Sequence, residues 1–294
     1  MIDNTIGSCF SALRKSKHIP VKQIIGKNIS NSQYHRFIND ESEVSFSKFL
    51  FMLDQINITL EEFVFIAFKQ TDPLKEGMLN IKRSFESGDI SNLKILSENF
   101  KHEYAQTNQV KFEHLSIISN CLIIKFQTNA VGSNNSELKL LTKYLLNVEN
   151  WGHYELVLFN NTFFLYDINT ILILFKKAKK TSEHYKDLFH HTQELFKLYS
   201  NIILYFLEKQ KVSSAIEIID NLIDLKISEE QLYEKFILKF WVLVKDYLTT
   251  NREAATENIN LLFSFLIFIE CKNLQKLLQN IFDFIQKIPN KNQL

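Results

Sequence analysis

The spacing of apolar and polar residues predicts helices along almost the whole chain. Ile6, Phe10 and Leu13 recur at intervals of four and three residues, which places them on one face of a first helix over about 3–16. Similar amphipathic stretches follow one another to about residue 288. The chain of 294 residues contains only 6 Gly and 3 Pro, so the loops must be short and sheets are disfavoured. We therefore expect an all-α protein.

A helix, a turn and a second short helix are predicted between residues 17 and 40. Pro20 suits the first turn of a helix because its missing N–H would have no partner there. Gly26–Asn28 predicts the turn, and Ser30 is a good N-cap for the next helix. Tyr34 and Phe37 then point inward. With two further helices, starting near residues 45 and 59, the segment predicts a small five-helix domain of the helix-turn-helix, DNA-binding type.

A domain boundary is predicted near Pro73, which disfavours helix in the residue before it. We expect a helix-turn-helix domain over 1–68, a linker over 69–73 and a TPR-like helical repeat domain over 74–294. Helix pairs of roughly 35–45 residues suit such an array, although no clear repeat motif is present, and a compact non-repeating bundle is the alternative. The expected helices span 74–86, 90–105, 109–128, 136–147, 151–159, 163–178, 183–209, 212–225, 229–249, 253–270 and 272–288.

The outward face of the helix after Ser30 has the chemistry to read DNA. Arginine can bond to guanine and asparagine to adenine in the major groove, whereas lysine and arginine side chains nearby neutralise phosphates. Residues 1–36 hold six basic residues and one acidic residue, and residues 37–70 hold two basic and six acidic residues. An ordinary solvated polar face with a chance charge distribution is the alternative. The candidates for base edges are Asn31, Ser32, His35 and Arg36, and those for phosphates are Arg14, Lys15 and Lys27.

Other functional classes find little support in the sequence. The three cysteines are far apart and form no CxxC pair, which disfavours disulfides and zinc fingers. The N-terminus does not have the pattern of a signal peptide, and apolar runs such as 261–269 are too short to span a bilayer, so we expect a cytoplasmic protein. No glycine-rich phosphate loop is present. The histidine group formed by His184, His190 and His191 with Glu194 lacks zinc-site spacing. We expect no catalytic residue, no metal site and no cofactor.

Two separated stretches resemble the Rgg family of peptide-responsive transcription regulators. The first comprises IGSCFSALRKSKHI at 6–19, ISNSQYHRF at 29–37 and ESEVSFSKFLFMLDQINITLEEF at 41–63, and it is similar to helix-turn-helix domains of the Cro/CI type. The second is YLLNVENWGHYELVLFNNTFFL at 144–165, whose WGHYE core is similar to a segment typical of the C-terminal domain of that family.

This resemblance implies a homodimeric regulator that binds double-stranded DNA and takes part in quorum sensing. Its helical repeat domain would bind a short signalling peptide that is re-imported into the cell. By position, Asn31, Ser32, His35 and Arg36 fall where Cro/CI-type helices touch bases, and Ser30 and Arg14 fall where the DNA backbone is contacted. The chain departs from the family pattern at several positions: Pro20 and Val21 replace a usual Thr-Gln pair, Ile25 replaces a small residue, and Ile38 and Asp40 replace Glu and Gly.

Five residues are candidates for contacts with the peptide. His153 lies in the WGHYE segment, where the family often has a basic residue near the peptide pocket, although a surface or core histidine is an equal alternative. Arginine is used sparingly after residue 36, so Arg83 is a candidate partner for a carboxylate. Helical-repeat grooves hold extended peptides through side-chain amides. The candidate amides are Asn150, Asn201 and Asn221.

The abundance of Phe, Leu and Ile favours a mostly apolar peptide. We expect the dimer contacts to come from the last helices. The principal alternative is a helical-repeat interaction or scaffold protein whose N-terminal module does not read DNA, and an enzyme fused to a DNA-binding domain is a third hypothesis. The apolar residues expected in the dimer contact are Phe263, Phe265, Ile267 and Phe268.

Overall fold

The computed structural model describes residues 5–68, 73–128, 135–182, 189–225 and 227–288. Within these ranges the chain forms fifteen α-helices and two short 3₁₀ helices, without a strand. It divides into two compact units, Met1–Gly77 and Met78–Leu294. Residues 69–72 of the expected linker lie outside the described ranges, so the predicted domain limits remain a prediction. None of the described helices is long and apolar enough to cross a membrane.

The first unit contains a 3₁₀ helix and four complete α-helices around one aromatic core. Hydroxyl groups cap all four of these α-helices, since Thr5, Ser30, Ser45 and Thr59 each accept a hydrogen bond from a backbone N–H in the first turn. Phe10 and Tyr34 are fully buried in the core between them. The elements are α1 (Ile6–Ser16), the 3₁₀ helix Val21–Gln23, α2 (Asn31–Ile38), α3 (Phe46–Gln55) and α4 (Leu60–Phe68).

The helix expected after Pro20 is a single 3₁₀ turn. Pro20 itself is extended, and the last helical hydrogen bond is the one from the Ile25 N–H to the Val21 carbonyl at 3.1 Å. Both Ile24 and Ile29 are buried in the core, and Gly26 N–H donates to the Ile29 carbonyl at 2.9 Å to close the turn between them. The helix ends after one turn because Ile24 and Ile29, five residues apart, are both buried in the same core.

The second unit is built from helices that pack on their neighbours in the chain. Short connections join α6 to α7, α11 to α12, α13 to α14 and α14 to α15, so these are antiparallel helix hairpins. Helix α9 packs against α11. The helices are α5 (Pro73–Glu86), which begins in the first unit, α6 (Ile90–Thr107), α7 (Val110–Thr128), α8 (Ser136–Asn147), α9 (His153–Asn160), the 3₁₀ helix Phe163–Leu165, α10 (Ile168–Ser182), α11 (Phe189–Glu208), α12 (Val212–Ile223), α13 (Leu232–Thr249), α14 (Arg252–Phe268) and α15 (Lys272–Gln286).

The helix expected over 163–178 is wrong in its first part. Phe163–Leu165 forms a 3₁₀ turn, and α10 begins only at Ile168. The carboxylate of Asp167 accepts hydrogen bonds from the N–H and hydroxyl of Thr170, at 3.0 and 2.8 Å. Asp167 therefore starts a new helix, and the break turns Phe163 and Phe164 towards different neighbours.

Six helix ends within the described ranges use the same left-handed turn, although this chain has few glycines. At each end one residue has φ between 50° and 71°, and the two N–H groups that follow the helix bond back to carbonyls of its last turn. Glycine normally occupies this position because a Cβ disfavours left-handed backbone. The residues are His18, Asp40, Asn57, Gly88, Gln210 and Glu270.

Replacing Gln210 by glycine is therefore expected to stabilise the protein by about 1 kcal/mol, since φ is 56° there. For a chain of this size the melting temperature should rise by about 2–4 °C, measured by scanning calorimetry. Gln275→Gly is the matched control, because it lies inside α15 and should destabilise by about the same amount. A lower melting temperature for Gln210→Gly would contradict this account of the turns.

Candidate functional site

Helix α2 presents the polar face that the sequence predicted. Tyr34 and Phe37 are buried beneath the helix, which leaves the opposite side exposed. The Ser30 hydroxyl accepts the Gln33 N–H at 3.2 Å and fixes the start of the helix. The exposed side chains of this face are Asn31, Ser32, His35 and Arg36.

The α1 residue Arg14 holds α2 in place. Its Nε donates to the Tyr34 hydroxyl at 2.9 Å, and another guanidinium nitrogen donates to the Ile19 carbonyl. Arg14 is half-buried. Two of its guanidinium N–H groups are therefore used in hydrogen bonds within the domain. A contact with a phosphate must use the N–H groups that remain.

Three lysines of the first unit are candidates for phosphate contacts beside α2. Lys15 and Lys27 are exposed, as the phosphate hypothesis requires. Lys48 of α3 donates to the Gln33 side-chain carbonyl at 2.8 Å. Sequence reasoning missed Lys48 and Gln33 as part of this surface, because their contact joins two helices fifteen residues apart and leaves no periodic signal.

Gly7 allows α1 to approach the end of α2 very closely. A Cβ at this position would lie 2.1 Å from the Phe37 carbonyl oxygen and 3.0 Å from the Ile38 Cα. Nearby, Asp40 adopts φ 60° and accepts a hydrogen bond from the Thr5 hydroxyl. The left-handed backbone at Asp40 is a conformation that glycine adopts without steric cost.

A cavity of about 290 Å³ in the second unit combines apolar walls with side-chain amides. We call it the asparagine cavity. Asn201 Nδ2 donates to Asn160 Oδ1 at 2.7 Å, and Asn160 Nδ2 donates to the Glu194 carboxylate at 3.1 Å. Asn161 Nδ2 donates to the Val157 carbonyl at 2.7 Å. The apolar lining includes Met78, Ile81, Phe85, Ile118, Leu122, Phe163 and Phe164.

Of the five expected peptide contacts, Asn201 lines this cavity. Arg83 is exposed on α5, and Asn150 is exposed just before the buried Trp151. His153 is the exposed first residue of α9. Asn221 is occupied elsewhere, since it accepts a hydrogen bond from Lys179 and donates to the Glu217 carbonyl.

Asn160 and Asn161 line the asparagine cavity and were not singled out from the sequence. Their available signal was the Asn-Asn pair that follows the WGHYE core, within the segment that carries the family resemblance. Nothing in that pair shows that α11 will bring Asn201 beside it, since the contact spans 41 positions of the chain.

Hydrogen bonds join the WGHYE segment to the helices α7 and α8 that precede it. Trp151 is fully buried and its Nε1 donates to the Leu145 carbonyl at 2.9 Å. Glu155 accepts the Tyr144 hydroxyl at 2.6 Å and the Gly152 N–H at 2.9 Å. Tyr154 bonds to His114 at 2.7 Å. Burial lowers the pKa of His114 to about 4, so this ring is neutral at physiological pH.

Of the histidine group considered as a metal site, His184 lies outside the described residues. Among the residues that are described, no three His, Cys, Asp or Glu side chains are grouped to hold a metal ion.

Comparison with known families decides the identity of the second unit. The model of the C-terminal domain of the HTH-type transcriptional regulator Rgg matches residues 93–280. The chain belongs to the Rgg family. The match includes the WGHYE segment and α9 and α11 of the asparagine cavity, and it confirms the resemblance drawn from the sequence.

Solved structures share the fold of this Rgg chain over nearly its whole length. The SHP pheromone receptor Rgg2 of Streptococcus dysgalactiae is 21% identical, with a TM-score of 0.69, covering 95% of this chain and 99% of that one. A putative transcriptional regulator from Listeria monocytogenes EGD-e is 17% identical, with a TM-score of 0.81 and coverage of 96% and 97%. The PrgX/cCF10 complex is 10% identical, with a TM-score of 0.69 and coverage of 97% and 93%. The expected all-α class with a helical repeat domain is confirmed.

Proposed function

We propose that this Rgg chain is a cytoplasmic, sequence-specific DNA-binding regulator whose activity is controlled by a short apolar peptide bound at the asparagine cavity. The observation that carries the proposal is the line of three asparagines, on α9 and α11, against an apolar wall. Membership of a family of transcriptional regulators supports the DNA-binding part. Structural similarity to a pheromone receptor and to a peptide pheromone/receptor complex supports the peptide part.

The cavity offers both kinds of contact that an extended peptide needs. The side-chain carbonyls of Asn161 and Asn201 receive no hydrogen bond from any described residue, so they can accept backbone N–H groups of a peptide. Phe85 and Phe164 stack with ring centroids 6.1 Å apart and form an apolar wall. Apolar peptide side chains buried there would supply most of the affinity, and the amides would fix the direction of the backbone.

Asn201→Ala is expected to weaken peptide binding by about five- to tenfold, because it removes one hydrogen-bonding amide from the cavity. Calorimetric titration of the full chain with short apolar peptides measures the change. Asn221→Ala is the matched control, since its amide is engaged with Lys179 and Glu217. Equal losses in both variants, or a loss only in Asn221→Ala, would place the peptide elsewhere.

The same account assigns base reading to α2 and phosphate contacts to the lysines around it. The exposed face is short, so one domain makes few contacts with a major groove. Two copies that read two half-sites would double these contacts, and helix-turn-helix dimers typically bind half-sites about 34–36 Å apart, or a multiple of this distance. This argument supports the homodimer as part of the proposal.

Helix α14 carries the apolar surface that suits such a dimer. Phe265, Ile267 and Phe268 are 50%, 57% and 82% exposed. Phe263 was expected in the same contact, but it is only 4% exposed and packs near Phe240 and Phe282. We propose that the three exposed residues contribute to the contact between the two protomers.

Phe268→Asp is expected to shift the protein towards monomers, because it places a charge in the proposed apolar contact. Analytical ultracentrifugation at micromolar concentration measures the change. Ile173→Asp is the control, since Ile173 is 58% exposed on α10, away from the proposed contact. A parent protein that sediments as a monomer, or a Phe268→Asp variant that remains dimeric, would contradict this assignment.

A further inference from the structure

A second cavity of about 750 Å³ in the same unit is lined by four lysines. We call it the lysine cavity. Its acidic residues are Glu208, at the end of α11, and Asp167, whose carboxylate already accepts both hydrogen-bond donors of Thr170. The lining therefore carries an excess of two positive charges. The lysines are Lys125, Lys139, Lys143 and Lys209.

The lysine cavity adjoins the asparagine cavity. The Phe164 side chain lines both. On α11, Asn201 lines the first cavity and Tyr205 lines the second, and Lys209, which directly follows this helix, lines the second as well. On α7, Leu122 lines the first and Lys125 the second. Residues at such spacings share one face of a helix, so both helices pass from an apolar section with amides to a basic section.

The basic section has the properties of an anion-binding site. Lys125 is half-buried, and its ammonium group lies 4.1 Å from the centroid of the Phe164 ring. Burial, and then the neighbouring Lys209, lower the pKa of Lys125. No ion pair joins Lys125, Lys143 or Lys209 to a carboxylate among the described residues. The Glu208 carboxylate partly offsets this decrease in the pKa of Lys125, and an anionic group placed between these ammonium groups would reduce their mutual repulsion further.

We infer that the lysine cavity binds a carboxylate of the regulatory peptide, while the apolar part of the peptide lies in the asparagine cavity. This inference rests on the proposed function, and it means that the peptide has an apolar part and a carboxylate at separate positions. Asn201 on α11 and Lys209, whose N–H still makes a helical hydrogen bond to the Tyr205 carbonyl, are eight residues apart, about 12 Å along the helix axis. An extended chain advances about 3.3 Å per residue. The carboxylate therefore lies about four residues from the part of the peptide that contacts Asn201, and it belongs either to the peptide C-terminus or to an acidic side chain.

The test uses the full chain and a set of synthetic short apolar peptides, each acetylated at the N-terminus. Every peptide is made in three forms, which have a C-terminal carboxylate, a C-terminal amide, or a C-terminal amide with one aspartate near the end. Calorimetric titrations compare the parent protein with Lys125→Gln and Lys209→Gln. Lys94→Gln is the control, because Lys94 is exposed on α6 and is not part of the lysine cavity.

A peptide with a carboxylate should bind the parent protein about tenfold tighter than its plain amide form, since a hydrogen-bonded charge is worth more than a neutral contact. The preference should shrink in Lys125→Gln and Lys209→Gln and persist in Lys94→Gln. The form that shows the preference identifies the terminal or the side-chain carboxylate. Equal binding of all three forms overturns this inference and leaves the proposed function standing. Failure of every peptide in every form overturns both.

Discussion

Replacing Arg36 by alanine is expected to weaken binding to the specific DNA site by about 1–3 kcal/mol and to relax base preference at one position. Arg36 is exposed on the outward face of α2. Its guanidinium has no hydrogen-bond partner among the described residues, so its donors are available to bond in a fork with the O6 and N7 of guanine. Fluorescence anisotropy with DNA from upstream of the gene that encodes the chain would measure both effects.

Lys15→Ala provides the contrast. Lys15 is also exposed, but a phosphate contact carries no sequence information. Its loss should weaken binding to specific and random DNA alike and should lower the salt dependence of binding. An Arg36→Ala variant that binds its site like the parent, with unchanged base preference, would show that α2 does not read DNA in the proposed orientation.

Gly7→Ala is expected to destabilise the first unit by on the order of 3 kcal/mol and to abolish specific DNA binding. The new Cβ would lie 2.1 Å from the Phe37 carbonyl oxygen. That atom belongs to the backbone of α2 and cannot rotate away. Helix α1 must therefore separate from the end of α2, which moves the exposed face out of register with the rest of the unit. Scanning calorimetry and anisotropy titrations measure the two consequences.

Gly26→Ala is the control for this substitution. Gly26 lies in the turn of the same unit, and a Cβ there would meet no atom within 4 Å. We expect it to fold and to bind DNA nearly as the parent does. If Gly7→Ala melted at the parent temperature and bound DNA normally, the close approach of α1 and α2 would not exist in solution.

The sequence predicted the faces of α2 because one helical period decides them. Once Ser30 caps the helix, Tyr34 and Phe37 share the inward side, and Asn31, Ser32, His35 and Arg36 must face outward. Most helix spans of the second unit were also predictable, since apolar periodicity and few loop residues leave little choice. These features depend on neighbours three or four residues apart.

Features that depend on distant residues were not predictable in the same way. The single 3₁₀ turn at Val21–Gln23 results from burying Ile24 and Ile29 in one core. Asn201 lines the cavity beside Asn160 of α9, whereas the Asn221 amide accepts a hydrogen bond from Lys179. Both contacts join residues more than forty positions apart in the chain. Many asparagines have the same local pattern, so only tertiary contacts distinguish the ones that line the cavity.

The central claim is that a peptide bound in the second unit controls DNA binding by the first. The most direct measurement is the fluorescence anisotropy of DNA from upstream of the gene, bound to the full chain. Short peptides encoded near the gene are then titrated into this complex. A ligand shifts this equilibrium only if it binds the DNA-competent and DNA-incompetent forms with different affinities. We predict salt-sensitive specific binding that one such peptide changes saturably, and that Asn201→Ala requires about five- to tenfold more peptide for the same change. Specific DNA binding that no peptide alters would contradict the account.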